Sequence, residues 1–447
     1  QYMEDFKKFL EQEGAPINDD IIEVTLPVVN RYDEVKTKKL RVIKVKDGKN
    51  FKKQARRMVL DVPKEDFMRY LVRSKSVLDC RSKIQSIESS GSLKMNIQLI
   101  DTKFTIPAST LALLDYYRIF DEIQQYKNEK SYFNISIDRN KLKPILETDG
   151  WYELIIPEKQ LEIDSIRKIE YATDYAIMAL KSYMDKFYKF EQERWEAPLL
   201  EFQEISATDN NFVDEYTFTV TPQNSLDTTG EELDKFIGDI KSILADNNGL
   251  NEYEKKFDFN KNLCLFDFRS HLYAPLVCLK KGNTNIQITP VSLNEDEKLF
   301  VDYLKEFTEN NGDVLENKSL YLLRNKSKVG MGFFVAGNFY PDYILWIDTP
   351  EKQYITFVDP KGLLRIMPDD PKIEFYKTIK DLEKQLAPTA GDKQIVLNSF
   401  IMSATKSADL HEWWHWDKTT REAHNVYTLD DDQCVISMIN KICFLQS

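Results

Sequence analysis

Pro341-Asp342 and Asp359-Pro360-Lys361 place two carboxylates and an amine where hydrolytic chemistry could be done. Each acid lies at the end of an apolar run, Tyr343-Ile344-Leu345-Trp346-Ile347 after Asp342 and Tyr354-Ile355-Thr356-Phe357-Val358 before Asp359. Between the runs, Asp348-Thr349-Pro350-Glu351-Lys352 has the composition of a turn. A loop from Thr349 to Lys352 pairs Asp348 with Gln353, and counting back along both arms sets Asp342 opposite Asp359. Directly opposed side chains have Cβ atoms about 5 Å apart, where like charges are destabilising, so a positive charge is required between them. If the strand continues past Pro360, Lys361 projects from the same face as Asp359. Hard oxygen donors of this kind suit Mg2+, with Mn2+ as a substitute. Such a centre acidifies a bound water and neutralises charge on a phosphate, while the ammonium orients the nucleophile.

The elements that must hold these side chains read as a helix at 294–308, strands at 320–324, 340–347 and 353–359, a helix at 372–386 and a strand at 394–402. Phe300, Tyr303, Leu304 and Phe307 line one face of the first helix, and Glu297 lies one turn before Phe300 on that stripe. An acid facing inward needs a reason. Glu297 is either an additional metal ligand or the capping-box partner of Asn294; Ser292 with Glu295 is the other capping-box pairing the sequence offers.

A Pro-Asp followed by acid-x-Lys is common in a chain this acidic and lysine-rich, so its weight comes from the strand context and the element order. With both in view, the sequence resembles the PD-(D/E)xK nuclease superfamily. His271-Leu272-Tyr273-Ala274-Pro275-Leu276, Pro290-Val291-Ser292-Leu293-Asn294, Tyr321-Leu322-Leu323-Arg324-Asn325 and Phe339-Tyr340-Pro341-Asp342 look like the C-terminal endonuclease part of type III restriction enzyme Res-like proteins, which are DEAD/DEAH-box helicases fused to a nuclease. The resemblance implies an α+β multidomain chain ending in a restriction-endonuclease-like αβββαβ mixed sheet flanked by helices. It also implies Mg2+-dependent hydrolysis of DNA in restriction or anti-phage defence. Asp342, Asp359 and Glu297 would hold the metal, and Lys361 would act beside them. Implied partners are DNA, an SF2-type helicase motor in cis or in trans, and a methyltransferase or other defence subunits. The chain has no G-x-x-x-x-G-K-[ST] loop and no Asp-Glu-x-His/Asp motor motif, so ATP would enter only through a motor outside this sequence. A C-terminal fragment of a longer helicase-nuclease, or a stand-alone nuclease subunit, fits that pattern.

Upstream, residues 36–57 carry Lys36, Lys38, Lys39, Arg41, Lys44, Lys46, Lys49, Lys52, Lys53, Arg56 and Arg57 against Asp47 alone. Leu40 to Val45 reads as a strand entering a tight turn, which makes this a basic hairpin. Its lysines either guard a sheet edge or contact phosphate; the DNA-binding set expected is Lys38, Lys39, Arg41, Lys44, Lys46, Lys49, Lys52, Lys53, Arg56 and Arg57. An aromatic stripe from Ile166 through Tyr183, Phe190 and Trp195 predicts a long helix that starts at Asp164 or Ser165 and stops at Pro198. The expected partition is a helicase-associated module at 1–205, a linking region at 206–285 and the nuclease domain with a Trp-rich end at 286–447.

With 447 residues, more than one compact core is expected. A net charge of −12 argues against a protein that coats nucleic acid over its whole surface. No apolar run approaches a bilayer span and no secretory leader is visible, so a cytoplasmic protein without a membrane partner is expected. Five scattered cysteines, none in a C-x-x-C pair, read as reduced thiols. His411-Glu412-Trp413-Trp414-His415 matches H-E-x-x-H, but no suitably spaced third ligand follows, which leaves zinc protease chemistry as a third reading. Asp430-Asp431-Asp432 reads as a solvated loop. The main alternative to a nuclease is a non-catalytic DNA-binding or protein-interaction module whose hairpin is structural.

Overall fold

The computed structural model describes residues 21–80, 103–156, 161–221, 228–245, 254–256, 263–280, 285–326, 331, 339–364 and 366–444. They form a mixed α+β protein of two compact units: residues 45–201 make one, and residues 21–44 with 202–444 make the other. Among the described residues, no helix is long and apolar enough to cross a membrane.

The 45–201 unit is organised on the long helix Ile166–Glu196, which runs from Ser165 to the Ala197–Leu199 turn containing Pro198. Its stripe buries Ala176, Leu180, Tyr183, Met184 and Phe190, while Ile166 at its start is exposed. Tyr183 meets Trp151 edge-on at 4.9 Å and Phe67 at 5.4 Å, and Phe190 meets Phe67 at 5.0 Å. Aromatic pairs at these separations add about 0.5–1.5 kcal/mol each beyond simple burial.

The basic segment departs from the expected hairpin. Arg41–Val45 is a strand, but it pairs with Leu200–Glu204 instead of with the chain beyond its own turn. After the turn, Asn50 accepts the Lys53 N–H and starts the short helix Phe51–Gln54. Phe51 is buried and packs edge-on against Tyr188 at 5.2 Å. An N-cap and a buried aromatic therefore win over strand continuation.

In the other unit, Ile22–Pro27 pairs antiparallel with Glu215–Val220, which pairs in turn with Ile286–Thr289. Arg31 makes a bidentate ion pair with Asp267, both Nη2 contacts at 2.9 Å, with side chains 2% and 0% exposed. The partition expected from sequence therefore shifts. Residues 21–44 belong with the C-terminal part, and the 206–285 stretch supplies the strands Glu215–Val220, Leu263–Phe266 and Leu276–Leu279 and the helix Thr229–Ala245. These pairings join residues distant in sequence, where local composition leaves no mark.

The five-stranded mixed sheet lies in the C-terminal part. Its order is Ser319–Arg324, Tyr343–Asp348, Lys352–Lys361, Gln394–Ser403 and Val426–Thr428. The first three strands are antiparallel neighbours; the last two run parallel to Lys352–Lys361. The helix Glu295–Asn310 precedes the sheet, burying Phe300, Leu304 and Phe307, and the helix Pro371–Leu386 makes the crossover that a parallel pair requires. Helix, three strands, helix, strand is the order read from the sequence. Beyond it, Leu410 and Trp414 of the helix Ser407–Trp414 pack with Leu363, Ile373, Ile401 and Val426, with Trp416 against them, while Trp413 stays exposed. The five cysteines are free thiols.

Candidate active site

The hairpin register has Asp348 opposite Gln353 and Tyr343 opposite Val358. Asp342 immediately precedes the strand that starts at Tyr343 and Asp359 follows Val358 on its neighbour, and the two carboxyls meet in a hydrogen bond at the mouth of the pair. Both are held firmly. Asn325 donates its backbone N–H to Asp342 O at 2.7 Å and its amide to Pro341 O at 2.8 Å. The same buried amide exchanges hydrogen bonds with Met331 N and O, both at 2.7 Å. Asp359 sits inside the parallel pairing, opposite Ile401, and is 1% exposed.

Lys361 lies two residues on from Asp359, and its Nζ is 3.2 Å from Asp359 Oδ2. Its side chain remains 34% exposed, so the ammonium reaches the acid from the solvent side. Burial holds the Asp342 carboxyl well above the usual carboxylate range; the charges of Asp359 and Glu297 and a hydrogen bond to Asp359 push the same way, while Lys361 opposes them. A hydrogen bond between two carboxyls needs a proton, and in the absence of a cation Asp342 carries it. One ammonium thus leaves the pair short of positive charge. Two converging oxygen-donor carboxyls fit a hard divalent cation that would take the proton's place.

Glu297 is placed near the pair but engaged elsewhere. Its Oε2 accepts the Asn294 N–H at 2.8 Å while Asn294 Oδ1 accepts the Glu297 N–H at 2.9 Å, a complete capping box. Arg324 Nη2 contacts both carboxylate oxygens, at 3.3 and 3.2 Å, and also Ser292 O at 3.1 Å. Of the two roles open in the sequence, the geometry gives Glu297 the cap, with its charge balanced by Arg324. Among the described residues, no three His, Cys, Asp or Glu side chains converge.

Three residues to which the sequence reading gave no role belong to this neighbourhood. Asn325 fixes the Pro341-Asp342 step, and Arg324 neutralises Glu297. Lys372, at the start of the crossover helix, is lowered from its ordinary range by burial and by the Lys361 charge, with Asp370 and Asp359 opposing, which places a second ammonium by the site. A lysine in the first turn of a helix works against the helix dipole, and that mismatch was the available signal. Behind Arg324, the buried His271 accepts the Arg324 N–H at Nε2, 3.1 Å, and shares Nδ1 with Tyr273 O at 2.9 Å. Burial first, then the charges of Arg31 and Arg324, drives His271 down to about 3, so it is a neutral structural group.

The expected DNA-binding set is divided between the two units. Lys38 leans on Ser319 Oγ at 3.4 Å, Arg41 pairs with Glu204 at 3.4 Å, Lys44 pairs with Asp209 at 2.5 Å, and Lys39 is exposed. Lys46, Lys49, Lys52, Lys53, Arg56 and Arg57 are exposed on the 45–201 unit. The H-E-x-x-H motif loses its geometric premise. The helix ends at Trp414, and His415 takes a left-handed conformation at φ 55, so the two histidines do not share a continuous helical face. His411 Nδ1 instead lies 3.2 Å from Trp416 O. In the acidic run, Asp430 accepts the Ser407 N–H and Asp431 pairs with Lys418 at 2.7 Å.

No family model matches this chain, and no curated protein or solved structure matches it either.

Proposed function

We propose that this chain is a divalent-metal-dependent nuclease that hydrolyses DNA phosphodiesters. The observation that carries the reading is the closeness of the Asp342 and Asp359 carboxyls, hydrogen-bonded to each other just beyond the last antiparallel pair Tyr343–Val358, with Lys361 Nζ 3.2 Å from Asp359. Asp342 and Asp359 would hold the metal, Mg2+ or Mn2+; when bound, such an ion neutralises phosphate charge and acidifies water. Lys361, reaching in from solvent, donates a hydrogen bond to the attacking water and steadies the charge that develops on the phosphate. Lys372 adds a second cation on the helix side, suited to a neighbouring phosphate. Asn325 keeps the Pro341-Asp342 step from drifting as charge builds, and the Arg324–Glu297 pair limits the negative potential around Asp342.

The same motif residues and the helix-strand order support the resemblance to the nuclease part of Res-like restriction enzymes. On that reading the motor is supplied by another segment or subunit, and the reaction serves defence against foreign DNA. The exposed lysines and arginines from Lys46 to Arg57 are the proposed phosphate contacts.

The test is cleavage of supercoiled, linear duplex, single-stranded and forked DNA with Mg2+, Mn2+ or chelator. Loss of cleavage in Asp359→Asn and Lys361→Ala, with DNA binding intact, supports the proposal. Cleavage retained in both variants, or none with any substrate and metal, refutes it.

A further inference from the structure

A second polar site lies at the other end of the two central strands. It is a cavity of about 350 Å³ beside the Thr349–Lys352 turn, within the size range of small-ligand pockets. At about 3.3 Å per strand residue, Asp348 at the cavity is roughly 20 Å from Asp342, so the two sites are separate.

Four cations line the cavity, Lys38, Lys39, Arg41 and Lys393, against Asp348 and Asp392. In a chain of net charge −12 this is a local reversal of sign. Asp348 is buried and already balanced, by Lys393 Nζ at 2.7 Å and by the Gln353 amide at 3.1 Å. Lys38 rests on a neutral hydroxyl, Ser319 Oγ. The partner of Arg41, Glu204, is 47% exposed, and a solvent-screened pair of that kind holds an arginine only weakly.

Arg41 is mounted with care. Its N–H donates to Gln353 Oε1 at 2.7 Å and its carbonyl accepts from Trp346 Nε1 at 2.8 Å, both from fully buried side chains. Gly391, at φ 78, makes room for the guanidinium: a Cβ there would lie 2.8 Å from Arg41 Nη2. Lys39, left-handed at φ 48, caps the short 3-10 helix Lys36–Lys38 through its N–H to Lys36 O, which fixes its backbone at the cavity wall. A guanidinium on a rigid support with lysines around it matches the several oxygens of a phosphate.

We infer that this cavity binds a phosphate ester, with Arg41 as its forked donor and Lys38 and Lys39 as flanking charges. The ester comes from a free nucleotide or from the terminal phosphate of a nucleic-acid strand. The full chain is titrated calorimetrically in chelator with ADP and with hexanucleotides of one sequence carrying a 5′-phosphate or a 5′-hydroxyl. Saturable binding of ADP is expected, or binding of the 5′-phosphorylated strand about tenfold or more tighter than that of the 5′-hydroxyl strand, whose internal phosphates reach only the separate Lys46–Arg57 contacts, and the probe that binds in this way identifies the source. Affinity falls about tenfold or more in Arg41→Gln and in Lys39→Ala. It falls also in Gly391→Ala, which keeps the arginine and displaces it, and it is unchanged in Asp359→Asn. Unaltered melting temperatures establish that the variants are folded. Binding of no probe, equal binding of the 5′-hydroxyl strand, or unchanged affinity in folded Arg41→Gln overturns the inference.

Discussion

Replacing Asp342 with asparagine should stabilise the metal-free protein, and increasingly so as the pH rises. The folded-state pKa of Asp342 is raised, by burial and by Asp359, whereas the unfolded chain ionises it near the ordinary value of about 3.9. Below that pH both states are protonated and the residue costs nothing. Above it the folded state binds the extra proton, so stability falls by about 1.4 kcal/mol per pH unit until the folded carboxyl ionises. Asparagine has the shape of the protonated acid and can still donate to Asp359. The gap between Asp342→Asn and the parent should therefore be near zero at pH 4 and reach about 3 kcal/mol at pH 6. Urea unfolding in chelator, followed through tryptophan fluorescence at several pH values, measures it. Mg2+ at 100 times its dissociation constant should restore about 2.7 kcal/mol to the parent, because the cation replaces the proton, and should leave Asp342→Asn nearly unmoved. A gap that stays flat from pH 4 to 7 would refute the carboxyl-pair argument.

The residues that support the site and the fold can be tested in the same way. Asn325→Ala strips the partners from Met331 N and from the Pro341 and Met331 carbonyls; it should cost about 2–3 kcal/mol in urea unfolding and slow any cleavage. Arg31→Ala leaves Asp267 buried without its countercharge, for an expected loss of about 3–5 kcal/mol in the same assay. Reversing Lys49, Lys52, Lys53 and Arg56 to glutamate should weaken duplex binding and flatten its salt dependence by about one unit for each phosphate that is no longer neutralised; an unchanged slope would make them edge guards only.

The hairpin register was legible in the sequence because a turn flanked by alternation-free apolar strands fixes the count: Asp348 opposite Gln353 determines what faces Asp342. The long helix was legible for the same reason, its stripe continuing from Tyr175 to Phe190. The pairing of Ile22–Pro27 with Glu215–Val220 was not, since no local pattern reports a partner nearly two hundred residues away. The basic hairpin failed because Asn50 and Phe51 divert the chain into a helical turn, a signal weaker than the preceding β-branched run. Glu297 shows why residue type alone leaves a role open: capping box and ligand need the same carboxylate, and the deciding group, Arg324, lies on another element.

Joint capture of a hard cation by Asp342 and Asp359 is measured by calorimetric titration with Mn2+. One ion per chain is expected, with affinity rising with pH as about one proton is released and at least tenfold weaker binding in Asp359→Asn. Equal Mn2+ affinity in the parent and in Asp359→Asn would contradict it.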